Sequence, residues 1–461
     1  MEHHKGNALW ARAERVLAGG FQTLSKNPNR FPLGAAPKFL SYGQGCHVWD
    51  EDGHRYIDLV AGLGPILLGH RDPVVESAVR AQLEKGVSFS LGTRLEVEVA
   101  ELLCVIIPSA EMVRFAKNGA DVTNAAIKLA RYATGRPHVI YCGYHGGHDS
   151  YLSTTDNSGG ILHDIKPYNH QIMWGDLSGL RATMHRVNVP DGGVRGGLAA
   201  IIAEVPPPIY GEEDTNREFM LALRHAAHSV GAIFILDEVV TGFRRSVGGA
   251  QSYYGVFPDL SCFSKAMGNG HAVSAIVGDR HLMKHFENGK VFLSTTFGGE
   301  TIGLAAAKAT IQVLRGSGPL EAIHYFGEML GDGLLSLLNS HRDVPAALLG
   351  DSCRMLVKFS DIPGLATADE LKTLWLQEMI ERGILAGGPI FPMACYTKDV
   401  VDQVLEAASQ TLDVMSRVIQ CRDVRGAIRS EVARDVFGSR YESFRAESQR
   451  VLTVERRGVF S

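Results

Sequence analysis

The sequence predicts an α/β protein with a mostly parallel central sheet covered by helices, and a smaller α/β domain built from both ends of the chain. Two observations carry this prediction. Apolar runs at 138–142, 198–205, 232–237, 260–263 and 273–277 show no polar alternation, so both faces of each strand are buried. Helix-like segments such as 123–134 and 217–230 separate these runs, which is the rhythm of strand–helix–strand units.

Taken in order, residues 5–17 place Leu9, Trp10, Ala13 and Val16 on one helical face. Strand candidates follow at 38–41, 46–50 and 55–59, the last two joined by the turn Asp50-Glu51-Asp52-Gly53. This N-terminal helix and small sheet segment covers 1–65, and the large domain covers 66–318. After Gly316-Ser317-Gly318-Pro319 a second α/β unit is expected over 319–423, with helices at 320–339, 367–383 and 398–419 and a strand at 355–359. An Arg-rich appendage with some helical periodicity, expected at the surface or a subunit contact, occupies 424–461.

Composition narrows the function classes. A formal net charge of −4 over 461 residues gives no basic footprint for nucleic acid or an anionic membrane. Seven scattered cysteines without a CxxC pair read as reduced thiols. The N-terminus lacks the apolar stretch of a secretory signal, and runs such as 231–236 are too short to span a bilayer, so a cytoplasmic location is expected. The 51 glycines suit tight turns and close backbone approach to a ligand.

Four segments carry chemistry. In 232–244 an apolar strand runs into adjacent carboxylates, Asp237 and Glu238, at the end where ligands sit in open α/β sheets. A carboxylate buried there needs a cationic or hydrogen-bonding partner, which a protonated pyridine nitrogen supplies; the bland alternative is an acidic strand end facing water. In 258–270 a strand ends at Lys265, whose amine in a confined site can form a Schiff base, although a lone lysine is more often a solvated charge. Together the lysine and the acid meet the two requirements of a pyridoxal phosphate (PLP) site. In 114–123, Gly119 and Ala120 open a helix whose N-terminus favours a phosphate, or simply a capped helix start. In 141–149, an aromatic at the strand end can stack on a flat ring, while His145, His148 and Asp149 admit a metal reading, set aside because no distant partner motif accompanies them. No metal is expected. A nicotinamide site lacks the GxGxxG that should follow the first parallel strand.

The ordered set Asn-Gly-Ala, Tyr-His-Gly, Asp-Glu-Val-Xaa-Thr-Gly-Phe-Arg, Ser-Lys and Thr-Phe-Gly-Gly resembles the class III, PLP fold-type I aminotransferases, nearest to glutamate-1-semialdehyde 2,1-aminomutase-like transaminases. The resemblance runs from about residue 8 to residue 420. It implies that Lys265 carries PLP, that Asp237 holds the pyridine nitrogen protonated, and that Val239 and Tyr144 pack on the two ring faces. It further implies that Gly119 and Ala120 bind the phosphate and that Glu204 lies near the substrate side of the cofactor. Thr296 then reaches the phosphate of a neighbouring subunit, which requires a homodimer with shared active sites.

Departures from the family pattern fall mainly on substrate-facing positions. Thr23-Leu24-Ser25-Lys26 stands where Ser-Pro-Val-Arg is usual, so Lys26 offers a point charge in place of a bidentate fork. Leu63 stands for a tryptophan, Gly119-Ala120-Asp121 for Gly-Thr-Glu, His271 for a proline, and Glu300-Thr301 for Asn-Pro. The expectation is therefore a ping-pong transaminase moving an amino group from a donor such as L-glutamate to a ketone or aldehyde. A sugar, a cyclitol or another specialised metabolite is the candidate acceptor. The rivals are an aminomutase, which transfers the amine within one substrate, and a catalytically silent PLP-fold sensor or scaffold.

Overall fold

A computed structural model of the chain describes residues 2–188, 196–206 and 216–433. They fall into two compact units, one joining 2–72 with 321–433 and the other holding 73–188, 196–206 and 216–320.

The first unit opens with the helix His4–Val16 and three antiparallel strands, β1 Leu40–Gln44, β2 His47–Asp50 and β3 Arg55–Asp58. Buried Asp50 explains the expected turn: one carboxylate oxygen accepts from the N–H groups of Asp52 and His54, at 3.0 and 2.8 Å. The other accepts from the Tyr56 hydroxyl and lies 3.1 Å from His3 Nδ1, which ties down the start of the chain.

The second unit is built on seven strands: β4 Met112–Ala116, β5 His138–Cys142, β6 Asn169–Gln171, β7 Leu198–Ala203, β8 Ile233–Glu238, β9 Leu260–Phe263 and β10 Ser274–Gly278. Their order is β4-β10-β9-β8-β7-β5-β6, and β10 alone runs against the others. The sheet is the mostly parallel one expected, and β5, β7, β8 and β9 are buried along their whole length. Successive side chains enter opposite cores: Val139, Tyr141 and Ile235 join helix Gly119–Thr134 on one face, while Ile140, Phe234 and Leu236 meet Phe219 and Leu223 on the other. The strands that the apolar runs did not reveal are β4 and β6. Half-buried β4 carries Arg114 at its centre, and three-residue β6 is polar, so neither has the continuous apolar signal.

The first unit resumes with the hairpin β11 Ala346–Asp351 and β12 Arg354–Phe359, and β13 Ile384–Leu385 pairs in parallel with β3. The two chain ends thus share one sheet. Helices Ala368–Glu381 and Lys398–Gln420 lie close to their expected bounds. Residues 424–433 dock on the first of these: Gln377 donates to the Ala427 carbonyl, and the N–H of buried Ala433 donates to the Thr373 hydroxyl. The rest of the expected appendage, 434–461, lies outside the described residues. Among the described residues no helix is long and apolar enough to cross a membrane.

Candidate active site at one edge of the large sheet

Five parallel strands deliver the expected residues at their C-terminal ends. Gly119 and Ala120 follow β4, Tyr144 follows β5, Glu204 follows β7, Asp237 and Val239 flank the end of β8, and Lys265 follows β9. Because β10 is antiparallel, His271 and Ala272 precede it on the same edge. Chain reversal in β10 and parallelism elsewhere therefore gather these residues along one rim, where open α/β sheets bind ligands.

Asp237 lies opposite Cys262 in the β8–β9 pairing, three residues before Lys265. Lys265 is half-buried and opens a tight turn, Lys265–Gly268, with φ of 43°. A non-glycine residue in that region stores local strain, and such strain is concentrated at functional positions. Asp237 is almost fully buried; one oxygen accepts from the Val239 N–H at 3.0 Å, and the other lies 2.8 Å from His145 Nδ1. His145 Nε2, buried, has no hydrogen-bond partner among the described residues. The neighbouring carboxylate has a different fate. Strand alternation sends Glu238 to the opposite face, where Thr241, Ala250 and Gln251 donate to it.

Helix Gly119–Thr134 starts with its N-terminus at this rim and stops at Gly135, whose φ of 66° suits a helix end. Asp121 reaches back to accept from the Asn118 N–H at 2.8 Å. Gly119 is required by close packing, since a Cβ there would stand 2.8 and 2.9 Å from the Val239 methyls. Gly146, at φ 92°, brings the 143–147 loop against Ala120, and Thr123 Oγ1 donates to the His145 carbonyl at 2.9 Å. Tyr144 is 41% exposed and meets Tyr151 edge-on, and its N–H points to Glu204 Oε2 at 3.3 Å. His148 caps the short helix Asp149–Leu152 by accepting from the Tyr151 N–H.

His271 is half-buried, with its N–H on the Gly268 carbonyl. Thr296 is exposed beside Phe297, which is 58% exposed. Lys26 and Leu63 belong to the first unit. Lys26 ends the turn Leu24–Lys26 and is exposed, while Leu63, at φ 79°, packs on the core formed by Val48, Tyr56 and Ile380.

A primary amine, a buried carboxylate and a helix N-terminus on one rim match the aldehyde, ring nitrogen and phosphate of PLP. The sequence pattern of class-III aminotransferases matches residues 34–411. The chain belongs to the class-III aminotransferase family. It is 34% identical to the glutamate-1-semialdehyde 2,1-aminomutase of Syntrophobacter fumaroxidans, over 88% of this chain and 97% of that protein. Among solved structures it is similar to the PLP-bound FumI protein of a Sphingopyxis species, with 25% identity, TM-score 0.82, and 93% and 99% of the two chains covered. A glutamate-1-semialdehyde aminomutase from Pseudomonas aeruginosa shares the fold at 18% identity and TM-score 0.75, over 92% and 95% of the chains. The aminotransferase is accordingly a PLP-dependent, fold-type I enzyme acting on small amine and carbonyl substrates.

The sequence reading did not include His145 in the site. Its partner is 92 residues away, and the Tyr-His-Gly motif gives no sign of which group the ring faces.

Proposed function

We propose that this class-III aminotransferase transfers an amino group from an amino donor, with L-glutamate the first candidate, to a ketone or aldehyde acceptor in two half-reactions. The observation that carries this reading is the pairing of β8 with β9, which sets Asp237 and Lys265 at the same rim. When bound, PLP supplies an electron sink conjugated to the substrate's Cα.

The roles proposed for the chain's own residues are those that the family resemblance implies. Lys265 Nζ anchors the cofactor covalently and, once displaced by the substrate amine, takes the proton from Cα. Asp237 accepts the ring N–H and keeps that proton in place, with His145 and the Val239 N–H fixing the carboxylate plane. Val239 covers one ring face and Tyr144 the other. The N–H groups of Gly119 and Ala120, which have no partner within their helix, bind the phosphate. Glu204 stands on the substrate side. Thr296, exposed next to exposed Phe297, serves the phosphate of a second subunit in a homodimer. Lys26, Leu63 and His271 are the proposed substrate determinants, and the acceptor is a sugar, a cyclitol or another specialised metabolite.

A second reading is intramolecular amine transfer, favoured by the 34% identity to a protein named as an aminomutase. One experiment separates the two. The visible spectrum of the PLP-loaded protein is recorded before and after L-glutamate alone. Loss of the yellow lysine-bound form with matching release of 2-oxoglutarate supports the transaminase. An unchanged spectrum with glutamate, together with turnover of a single amino-aldehyde without any released keto acid, establishes the aminomutase instead. Lys265→Ala is expected to abolish the yellow form and turnover, and retained wild-type turnover would remove Lys265 from its role.

A further inference from the structure

Two segments that depart from the family pattern meet at one ammonium group. Lys117, one residue past β4, donates from Nζ to Glu300 Oε2 at 2.5 Å and to the Ala272 carbonyl at 3.0 Å. Both side chains are mostly buried, with 17% and 14% of their surface exposed. Ala272 lies in the Gly270-His271-Ala272 turn after Lys265, and the antiparallel pairing of Ser274 with Ala116 brings that turn beside Lys117. Glu300 in turn starts the helix Thr301–Leu314, accepting from the Ile302 N–H at 2.6 Å and the Gly303 N–H at 3.2 Å. The asparagine that the family pattern has at this position would also cap the helix but carries no charge, whereas Glu300 caps it and keeps a charge for Lys117.

We propose that Lys117 and Glu300 form a positioning pair that fixes the phosphate end of the cofactor site, a proposal that rests on the PLP reading given above. The pair joins three segments: the turn leading into Gly119 and Ala120, the turn following Lys265, and the segment carrying Thr296. These are the three segments assigned to the phosphate and the lysine. Ala120 stands where the family carries a threonine, so one hydroxyl donor is missing and the phosphate depends more on correctly placed backbone N–H groups. Holding those groups still is what a buried, hydrogen-bonded ion pair does well. Gly303 is part of the same arrangement, because a Cβ there would stand 2.5 Å from the Ala272 carbonyl and 3.0 Å from Lys117 Nζ. Burial opposes the charge on Glu300, but the Lys117 ammonium and the N–H groups of Ile302 and Gly303 outweigh it and hold the carboxyl below its ordinary pKa.

The test measures PLP dissociation constants and kcat for the full-length wild-type protein, Lys117→Met, Glu300→Gln and the double variant. Glu300→Gln keeps an acceptor for the helix N–H groups while removing the charge that faces Lys117, so it separates the ion pair from the cap. Each single variant is expected to weaken PLP binding by about tenfold or more, with kcat at saturating PLP falling by a smaller factor. The double variant is expected to be little worse than either single one, since both remove the same interaction. Unchanged PLP affinity in Glu300→Gln or in a folded Lys117→Met, or losses that simply add, would overturn the proposal, even where melting temperature falls. If the wild-type protein holds no PLP, the site reading fails and this proposal with it. If it holds PLP and the variants match it, the positioning role alone fails.

Discussion

His145 Nδ1 lies 2.8 Å from Asp237 Oδ2, and both side chains are closed off from solvent. With the Val239 N–H on the other oxygen, the carboxylate is gripped on both sides and held in one plane. The interaction is buried, so its removal should cost more than an exposed hydrogen bond would. His145→Phe deletes the donor, whereas His145→Asn keeps an N–H near the position of Nδ1. The expected losses in kcat are about 100-fold for Phe and about tenfold for Asn. Steady-state kinetics at saturating PLP measure both, and equal losses would show that the ring's packing, not its donor, is what matters.

Gly119 offers a steric test of the same rim. A Cβ at this position would press on both Val239 methyls at 2.8 and 2.9 Å, well inside contact distance. Gly119→Ala must therefore push Val239 away, and with it the residue proposed to cover one ring face. Overpacking of this kind costs about 1–3 kcal/mol. PLP affinity is expected to fall, and Val239→Ala in the same chain should restore most of it by vacating the space. Equilibrium dialysis with PLP reads both outcomes, and a double variant no better than Gly119→Ala would refute the steric account.

These relationships show what was and was not legible in the sequence. The parallel sheet was legible because β5, β7, β8 and β9 are buried on both faces and their sequences are apolar without alternation. The position of Asp237 and Lys265 at the ends of β8 and β9 was legible because charged residues there are exceptions to that pattern. The His145–Asp237 contact spans 92 residues and the Lys117–Glu300 pair spans 183, and no local periodicity encodes either. The different fates of Asp237 and Glu238 follow from strand alternation, but the direction each one takes depends on which helices cover which face. Nothing local marks Lys117; only the antiparallel β10 brings Ala272 alongside it.

Glu238 should be a stability residue. Its carboxylate is fully buried and accepts from the Thr241 hydroxyl, the N–H groups of Ala250 and Gln251, and the Gln251 amide, which pins the loop that follows β8. Gly249 adopts φ of 82° and approaches so closely that any Cβ would strike this carboxylate. Glu238→Leu leaves buried N–H donors without acceptors, each costing about 1–3 kcal/mol. Glu238→Gln retains a carbonyl and should lose less. Urea unfolding with an unchanged slope would measure the difference, and a Leu variant as stable as wild type would show that the loop finds other acceptors.

Acid should act on the large unit through His148. Burial lowers its pKa to about 3, and the nearby His145 and Arg131 push in the same direction. An unfolded chain protonates this histidine near 6.5, so between pH 6.5 and about 3 the unfolded state binds the extra proton. Stability from this group is therefore complete above pH 6.5 and is lost as pH falls through that window. The slope approaches about 1.4 kcal/mol per pH unit where the difference is one full proton. His170, lowered to about 4 by burial with His138 and Arg186 beside it, adds to the same trend, so the informative comparison is between variants. His148→Asn keeps an acceptor for the Tyr151 N–H at the start of helix Asp149–Leu152 but cannot titrate. Urea midpoints at pH 6.5, 5.5 and 4.5 should fall less steeply for His148→Asn than for the wild type, by close to one proton's worth of slope. Identical slopes would mean that His148 is already protonated in the folded protein and does not titrate on unfolding.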